Sequence, residues 1–180
     1  MKIKLLLFIL MVSISCGATS QELIRGNFEL TDHHGNSVTE ASYNGKFRLV
    51  FFGFTSCPIV CPTTMMDIVE TMSQLGDLSK DIQPILITID PSVDDATHLA
   101  EYVAAFHPDI VGLTGSKAQI TAAAKSFNAT FGRSKNYEGN NGAIFHSAFI
   151  YLMDREGKFV DLFGYGTAPS KIAERIKDYL

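Results

Sequence analysis

Apolar residues in this chain fall in short blocks whose spacing switches between strand-like and helix-like. The first block, Leu5 to Val12, is unbroken; Lys2 and Lys4 precede it and small or polar residues follow from Ser13 to Ser20. Asn27-Phe28-Glu29-Leu30-Thr31 then alternates polar with apolar. The turn residues Asp32-His33-His34-Gly35-Asn36 lead from it into Ser37-Val38-Thr39, which predicts a β-hairpin. Leu49-Val50-Phe51-Phe52-Gly53-Phe54 is apolar at odd and even positions alike, as a strand buried on both faces is. Pro62 at a first helical position opens a helix with apolar residues at Met65, Ile68, Val69, Met72 and Leu75.

Ile85-Leu86-Ile87-Thr88-Ile89 predicts a second buried strand, stopped by Asp90-Pro91. Ser92, three residues before Asp95, predicts a cap for a helix over about 95–106, and Ser116 with Gln119 a capping box for a helix to Phe127. A short strand, Ile110-Val111-Gly112-Leu113, lies between them. Residues 132–142 are rich in Gly and Asn with little periodicity and read as a loop. Strands over 148–153 and 158–163 flank the turn Asp154-Arg155-Glu156-Gly157, and a last helix covers about 169–180. Helices between parallel-type strands, then a terminal hairpin and helix, predict an α/β sandwich with a mixed sheet.

No repeat or linker divides residues 21–180, so one domain is expected. The 180 residues are 46% hydrophobic and 19% charged, which supports a buried core and excludes disorder. The formal charge of −4, without a basic run, gives no footprint for nucleic acid. Residues 1–20 have the order of a secretory signal peptide, and the apolar run is short of the ~20 residues that span a bilayer. Ala18-Thr19-Ser20 is a candidate cleavage site; the competing reading makes Cys16 a lipidated residue, and with it the chain's own means of membrane attachment. Removing Lys2 and Lys4 with this segment takes the charge from −4 to −6. An exported, periplasmic or extracytoplasmic membrane-associated location follows. Removing Cys16 as well leaves Cys57 and Cys61 from the three cysteines.

Those two sit just after a predicted central strand, at the start of a helix. In open α/β sheets functional groups gather there, beyond the C-terminal ends of the strands. An i, i+4 offset brings the thiols to one side, and unsatisfied amides at a helix start favour a thiolate. Such a pair forms a disulfide or binds a soft metal. Three intervening residues, rather than the two of Cys-x-x-Cys redox motifs, suit a metal held between the sulfurs. Thiolates favour Cu(I), while imidazole suits Cu(I) and Cu(II) alike. Of the five histidines, His33 and His34 fall in a turn, and His98 and His107 read as surface or capping residues. His146 directly precedes a strand, a position equally open to a ligand and to a hydrogen-bonded structural residue.

The segment Phe52-Gly53-Phe54-Thr55-Ser56-Cys57-Pro58-Ile59-Val60-Cys61-Pro62-Thr63-Thr64 resembles the signature of the Sco/SenC family of copper-binding proteins. The resemblance runs through most of residues 26–180. It takes in Phe28-x-Leu30-x-Asp32, Gly45-Lys46, Ile89-Asp90-Pro91, and His146 followed by Ile150-Tyr151-Leu152-Met153-Asp154 and Gly157-Lys158-Phe159-Val160. It implies a thioredoxin-like three-layer sandwich with a mixed central sheet and an N-terminal β-hairpin extension. It implies one copper ion per chain, bound by Cys57, Cys61 and His146. It also implies a metallochaperone that serves the copper centre of cytochrome c oxidase, with an oxidase subunit or another copper chaperone as partner. A monomer is expected, and a Cys57–Cys61 disulfide in the oxidised, metal-free form.

Two positions depart from the pattern: Ile59 where many members carry an acidic residue, and Ser56 where His or another residue stands. Many relatives also keep a membrane anchor. Asp90 resembles a family aspartate near the site, though a strand-end cap explains it as well, and Met65 at helical spacing reads as packing. The alternative function is a thiol–disulfide oxidoreductase in which Cys57 attacks and Cys61 resolves a mixed disulfide. A peroxiredoxin-type site is excluded because Phe54 stands where a Thr is needed, and the chain has no Trp for a glutathione-peroxidase-type site.

Overall fold

The run Phe47–Gly53 forms the strand around which the protein is built, and all seven of its residues are buried. A computed structural model describes residues 23–134 and 144–180. The expected leader at 1–20, Cys16 within it, and 135–142 of the expected loop lie outside the described residues. In chain order the strands are β1 (Glu29–Asp32), β2 (Ser37–Thr39), β3 (Phe47–Gly53), β4 (Ile82–Thr88), β5 (Val111–Thr114), β6 (Phe131–Arg133), β7 (Ile144–His146), β8 (Phe149–Met153) and β9 (Phe159–Gly164). The α-helices are α1 (Val60–Leu75), α2 (Ala96–Ala104), α3 (Lys117–Ser126) and α4 (Pro169–Lys177).

Seven strands make one sheet in the order β2-β1-β5-β4-β3-β8-β9. β3, β4 and β5 are parallel, with Phe51 opposite Leu86 and Ile87 opposite Leu113. β8 and β9 continue antiparallel on one side, and the β1–β2 hairpin on the other. Burial on both faces explains why β3 and β4 lack polar alternation.

Side chains on one face of β3, Phe47, Leu49 and Phe51, pack with Met65, Ile68 and Met72 of α1, Leu99 and Val103 of α2, and Ile172 and Ile176 of α4. The opposite face, Val50 and Phe52, packs with Ile120, Ala123, Ala124 and Phe127 around α3, beneath Phe28 and Leu30 of the hairpin. Two helical layers thus enclose a mixed sheet, which is the expected three-layer sandwich. Among the described residues no helix is long and apolar enough to cross a membrane.

Three expectations need correction. Ser92 does not cap α2: its hydroxyl donates to Asp90 at 2.6 Å, and Asp95 caps by accepting the His98 N–H at 2.8 Å. The first helix begins at Val60, so Pro62 is its third residue, where no intrahelical hydrogen bond is lost. Gly132 and Arg133, expected in a loop, belong to β6, which pairs antiparallel with β7 as a separate two-stranded ribbon. Three-residue strands carry too little periodicity to announce themselves.

Candidate metal centre

β3 ends at Gly53, and the chain turns through Phe54 and Cys57 into α1, with the Cys57 N–H donating to the Phe54 carbonyl at 3.2 Å. A buried carboxylate holds this turn. Asp94 accepts the Thr55 N–H at 3.1 Å and the Thr55 hydroxyl at 2.5 Å, and it also accepts the Thr88 hydroxyl from the end of β4 at 2.6 Å. Cys61, the second residue of α1, is fully buried, and its N–H donates to Cys57 Sγ at 3.3 Å. The thiol has room because residue 53 is glycine. A Cβ there would lie 2.7 Å from Phe51 Cε1 and 3.0 Å from Cys61 Sγ.

His146 comes from β7, where it lies opposite Phe131 of β6. Its ring is wedged edge-on between Phe51 and Phe54, with centroids 5.9 and 6.0 Å away. Nδ1 lies 3.1 Å from the Ser147 carbonyl. A carbonyl only accepts, so this contact assigns the proton to Nδ1 and leaves the Nε2 lone pair free. Nε2 lies 3.6 Å from Cys61 Sγ. Cys57 Sγ, Cys61 Sγ and the imidazole all lie within 4.8 Å of one another, and both thiols are free.

The electrostatics correct one expectation. Cys61 stands at a helix start, yet its thiol is not acidified. Burial dominates and pushes its pKa up to about 12, against a downward pull from a Phe54 backbone hydrogen bond and with smaller upward contributions from Cys57 and Asp94. Burial likewise lowers the pKa of His146, against a smaller upward pull from the Ser147 carbonyl. The imidazole is therefore a neutral donor at pH 7, as metal ligation requires.

The structure brings together Cys57, Cys61 and His146, drawn from two separate regions of the chain. His33, His34, His98 and His107 do not join them. His33, expected as a solvated turn residue, instead accepts the Gly112 N–H on Nδ1 at 3.0 Å, with the His34 ring tilted against it. Met65 is core, as expected. Asp90 is more than a strand-end cap, because Arg133 Nη2 donates to its Oδ2 at 2.8 Å. The role of Asp94 carried no sequence signal, since its partners lie in two other segments.

A family model described as SCO1/SenC matches residues 17–180. The chain belongs to the SCO1/SenC family. Within that family, Protein sco1 of Schizosaccharomyces pombe is 42% identical over 162 residues, covering 86% of this chain and 60% of that protein. The chain thus spans about 60% of the length of curated relatives it matches. Among solved structures, Arabidopsis thaliana ScoI with copper bound has a TM-score of 0.80 and 31% identity, over 86% of this chain and 96% of that one. Bradyrhizobium japonicum ScoI with copper bound has a TM-score of 0.78 and 36% identity, over 87% and 99%. The fold is the thioredoxin-like fold of these Sco structures.

Proposed function

We propose that the protein binds one copper ion through Cys57, Cys61 and His146 and hands it to another protein. The observation that carries this reading is the convergence of two sulfurs and one lone-pair-bearing imidazole nitrogen within 4.8 Å. Two thiolates satisfy Cu(I), and the added nitrogen makes the site fit for Cu(II). The copper-bound relatives from two organisms support the choice of metal. Asp94, the nearby carboxylate that holds the cysteine turn, is engaged by Thr55 and Thr88, so the donors available for a soft ion are sulfur and nitrogen.

Transfer would proceed by ligand exchange. Cys57 is half-buried and is the thiol a partner reaches first, while Cys61 and His146 hold the ion from below. The recipient is a protein with its own thiolates, an oxidase copper-centre subunit or another copper chaperone, met by a monomer outside the cytoplasm. In an oxidising compartment the metal-free pair closes to a Cys57–Cys61 disulfide and must be reduced before loading. Anaerobic copper titration of the reduced protein tests the reading. One equivalent should bind tightly, and a Cys57→Ser/Cys61→Ser variant should lose that equivalent. A wild type that binds copper no better than this variant refutes the proposal.

A further inference from the structure

The ribbon that carries His146 is not part of the main sheet, so something else must set its height above the cysteines. In an antiparallel pair, residues directly opposite share a face. Phe131 with His146, and Arg133 with Ile144, therefore lie on one face, while Gly132 and Phe145 lie on the other. Phe145 is exposed and covers Gly132, so that second face is the outer one. The inner face stands on two polar feet: His146 at Cys61, and Arg133 on Asp90 at the end of β4. Between ribbon and sheet lies a cavity of about 590 Å³ lined by Ile89, Asp90, Ser116, Phe131, Arg133 and Ile144. Phe131 and Ile144 pack against the core on this face, but the cavity leaves that packing incomplete, so the polar feet add to the ribbon's placement.

The Asp90 foot is firmly built. Its side chain is 12% exposed, one oxygen is taken by the Ser92 hydroxyl at 2.6 Å, and the other is left for Arg133 at 2.8 Å. The Asp90 carbonyl accepts the Asp94 N–H at 3.0 Å, and the Asp94 carboxylate holds Thr55, two residues before Cys57. One connected path thus runs from the ribbon with the histidine to the turn with the first cysteine. Two thiolates suffice for Cu(I), whereas Cu(II) depends on the imidazole. Displacing the ribbon alone therefore penalises one oxidation state more than the other.

We propose that Arg133 is a positioning residue whose ion pair with Asp90 holds the β6–β7 ribbon so that His146 reaches Cys61, and so sets the preference of the site between Cu(II) and Cu(I). The proposal rests on the copper reading above. The test uses Arg133→Gln, Arg133→Lys, Asp90→Asn and the Arg133→Gln/Asp90→Asn double variant in the full chain. Arg133 is half-exposed, and circular dichroism first checks that each variant folds. Cu(I) and Cu(II) affinities are measured by chelator competition, and amide hydrogen exchange at Gly132 and Phe145, the pair that the register hydrogen-bonds, is followed in the metal-free protein.

Arg133→Gln should weaken Cu(II) about 10-fold, as loss of outer-sphere support does, and Cu(I) less than about 3-fold. Arg133→Lys should restore most of the difference, and the double variant should be no worse than the weaker single. Exchange at Gly132 and Phe145 should accelerate in metal-free Arg133→Gln. An unchanged Cu(II)/Cu(I) ratio, an equal loss of both ions, or unchanged exchange would each overturn the inference. A wild type that binds no copper would sink the functional reading instead, and the metal-free exchange would still decide whether the ion pair holds the ribbon.

Discussion

Copper binding should become tighter as pH rises, and Cys61 sets much of the slope. Burial holds this thiol at a pKa of about 12, so between pH 7 and 9 it carries its proton in the metal-free protein. At pH 7 that is five units of unfavourable deprotonation, about 7 kcal/mol at ~1.36 kcal/mol per unit, which the metal–sulfur bond must offset. His146 adds nothing to the slope, because burial lowers its pKa and it is already neutral in this range. Each proton released per copper raises the apparent affinity ~10-fold per pH unit, so Cys61 alone gives ~100-fold from pH 7 to 9. A Cys57→Ser variant isolates the effect, since its one remaining site thiol is Cys61. Affinity is read by competition with a chelator of known proton dependence, and the proton count by calorimetry in two buffers of different ionisation enthalpy. A flat profile in Cys57→Ser would mean that Cys61 is already a thiolate, and would refute the view that burial outweighs the helix terminus here.

The same thiol links metal-free stability to alkaline pH. Its folded pKa is raised from an ordinary value near 9 to about 12, so its contribution is complete below 9 and is lost as pH climbs towards 12, up to ~4 kcal/mol. Urea unfolding of the reduced protein should show this loss, and Cys61→Ala should show less of it; identical slopes would contradict the assignment. Gly53→Ala places a methyl 2.7 Å from Phe51 Cε1 and 3.0 Å from Cys61 Sγ, so it should destabilise the protein by about 1–3 kcal/mol and weaken copper binding. Wild-type values on both measures would show that the strand end can yield. Asp94→Asn replaces a buried carboxylate that accepts three hydrogen bonds, and should cost about 2–4 kcal/mol in chemical denaturation while speeding alkylation of Cys57. A loss below ~0.5 kcal/mol would remove Asp94 from the account of how the cysteine turn is held.

What could be read from sequence divides along the range of the interactions. β3 and β4 were legible because burial on both faces leaves a continuous apolar run, and α3 because Ser116 and Gln119 cap it within four residues. Cys57 and Cys61 were legible because their spacing and their place after a strand are local facts. The misreadings turn on competing or distant partners. Ser92 is drawn from the expected cap by the Asp90 carboxylate, and β6 and β7 are strands chiefly because they have each other. The Cys61 pKa depends on how deeply the packed helix buries it, which the position of a residue in a motif does not report. His146 is intermediate: the residues next to it left it even between two roles, and the family resemblance decided for a ligand before the fold brought it to 3.6 Å from Cys61.

The central claim is that two sulfurs and one imidazole share a single copper ion. X-ray absorption spectroscopy of the protein loaded with one equivalent of Cu(II) tests it most directly, with His146→Ala loaded in parallel. Two sulfur scatterers and an imidazole nitrogen are required in the wild type, together with a thiolate-to-copper charge-transfer band in the optical spectrum of the same sample that the variant loses along with the imidazole signal. A wild-type spectrum without sulfur, or a His146→Ala spectrum indistinguishable from wild type, would contradict it.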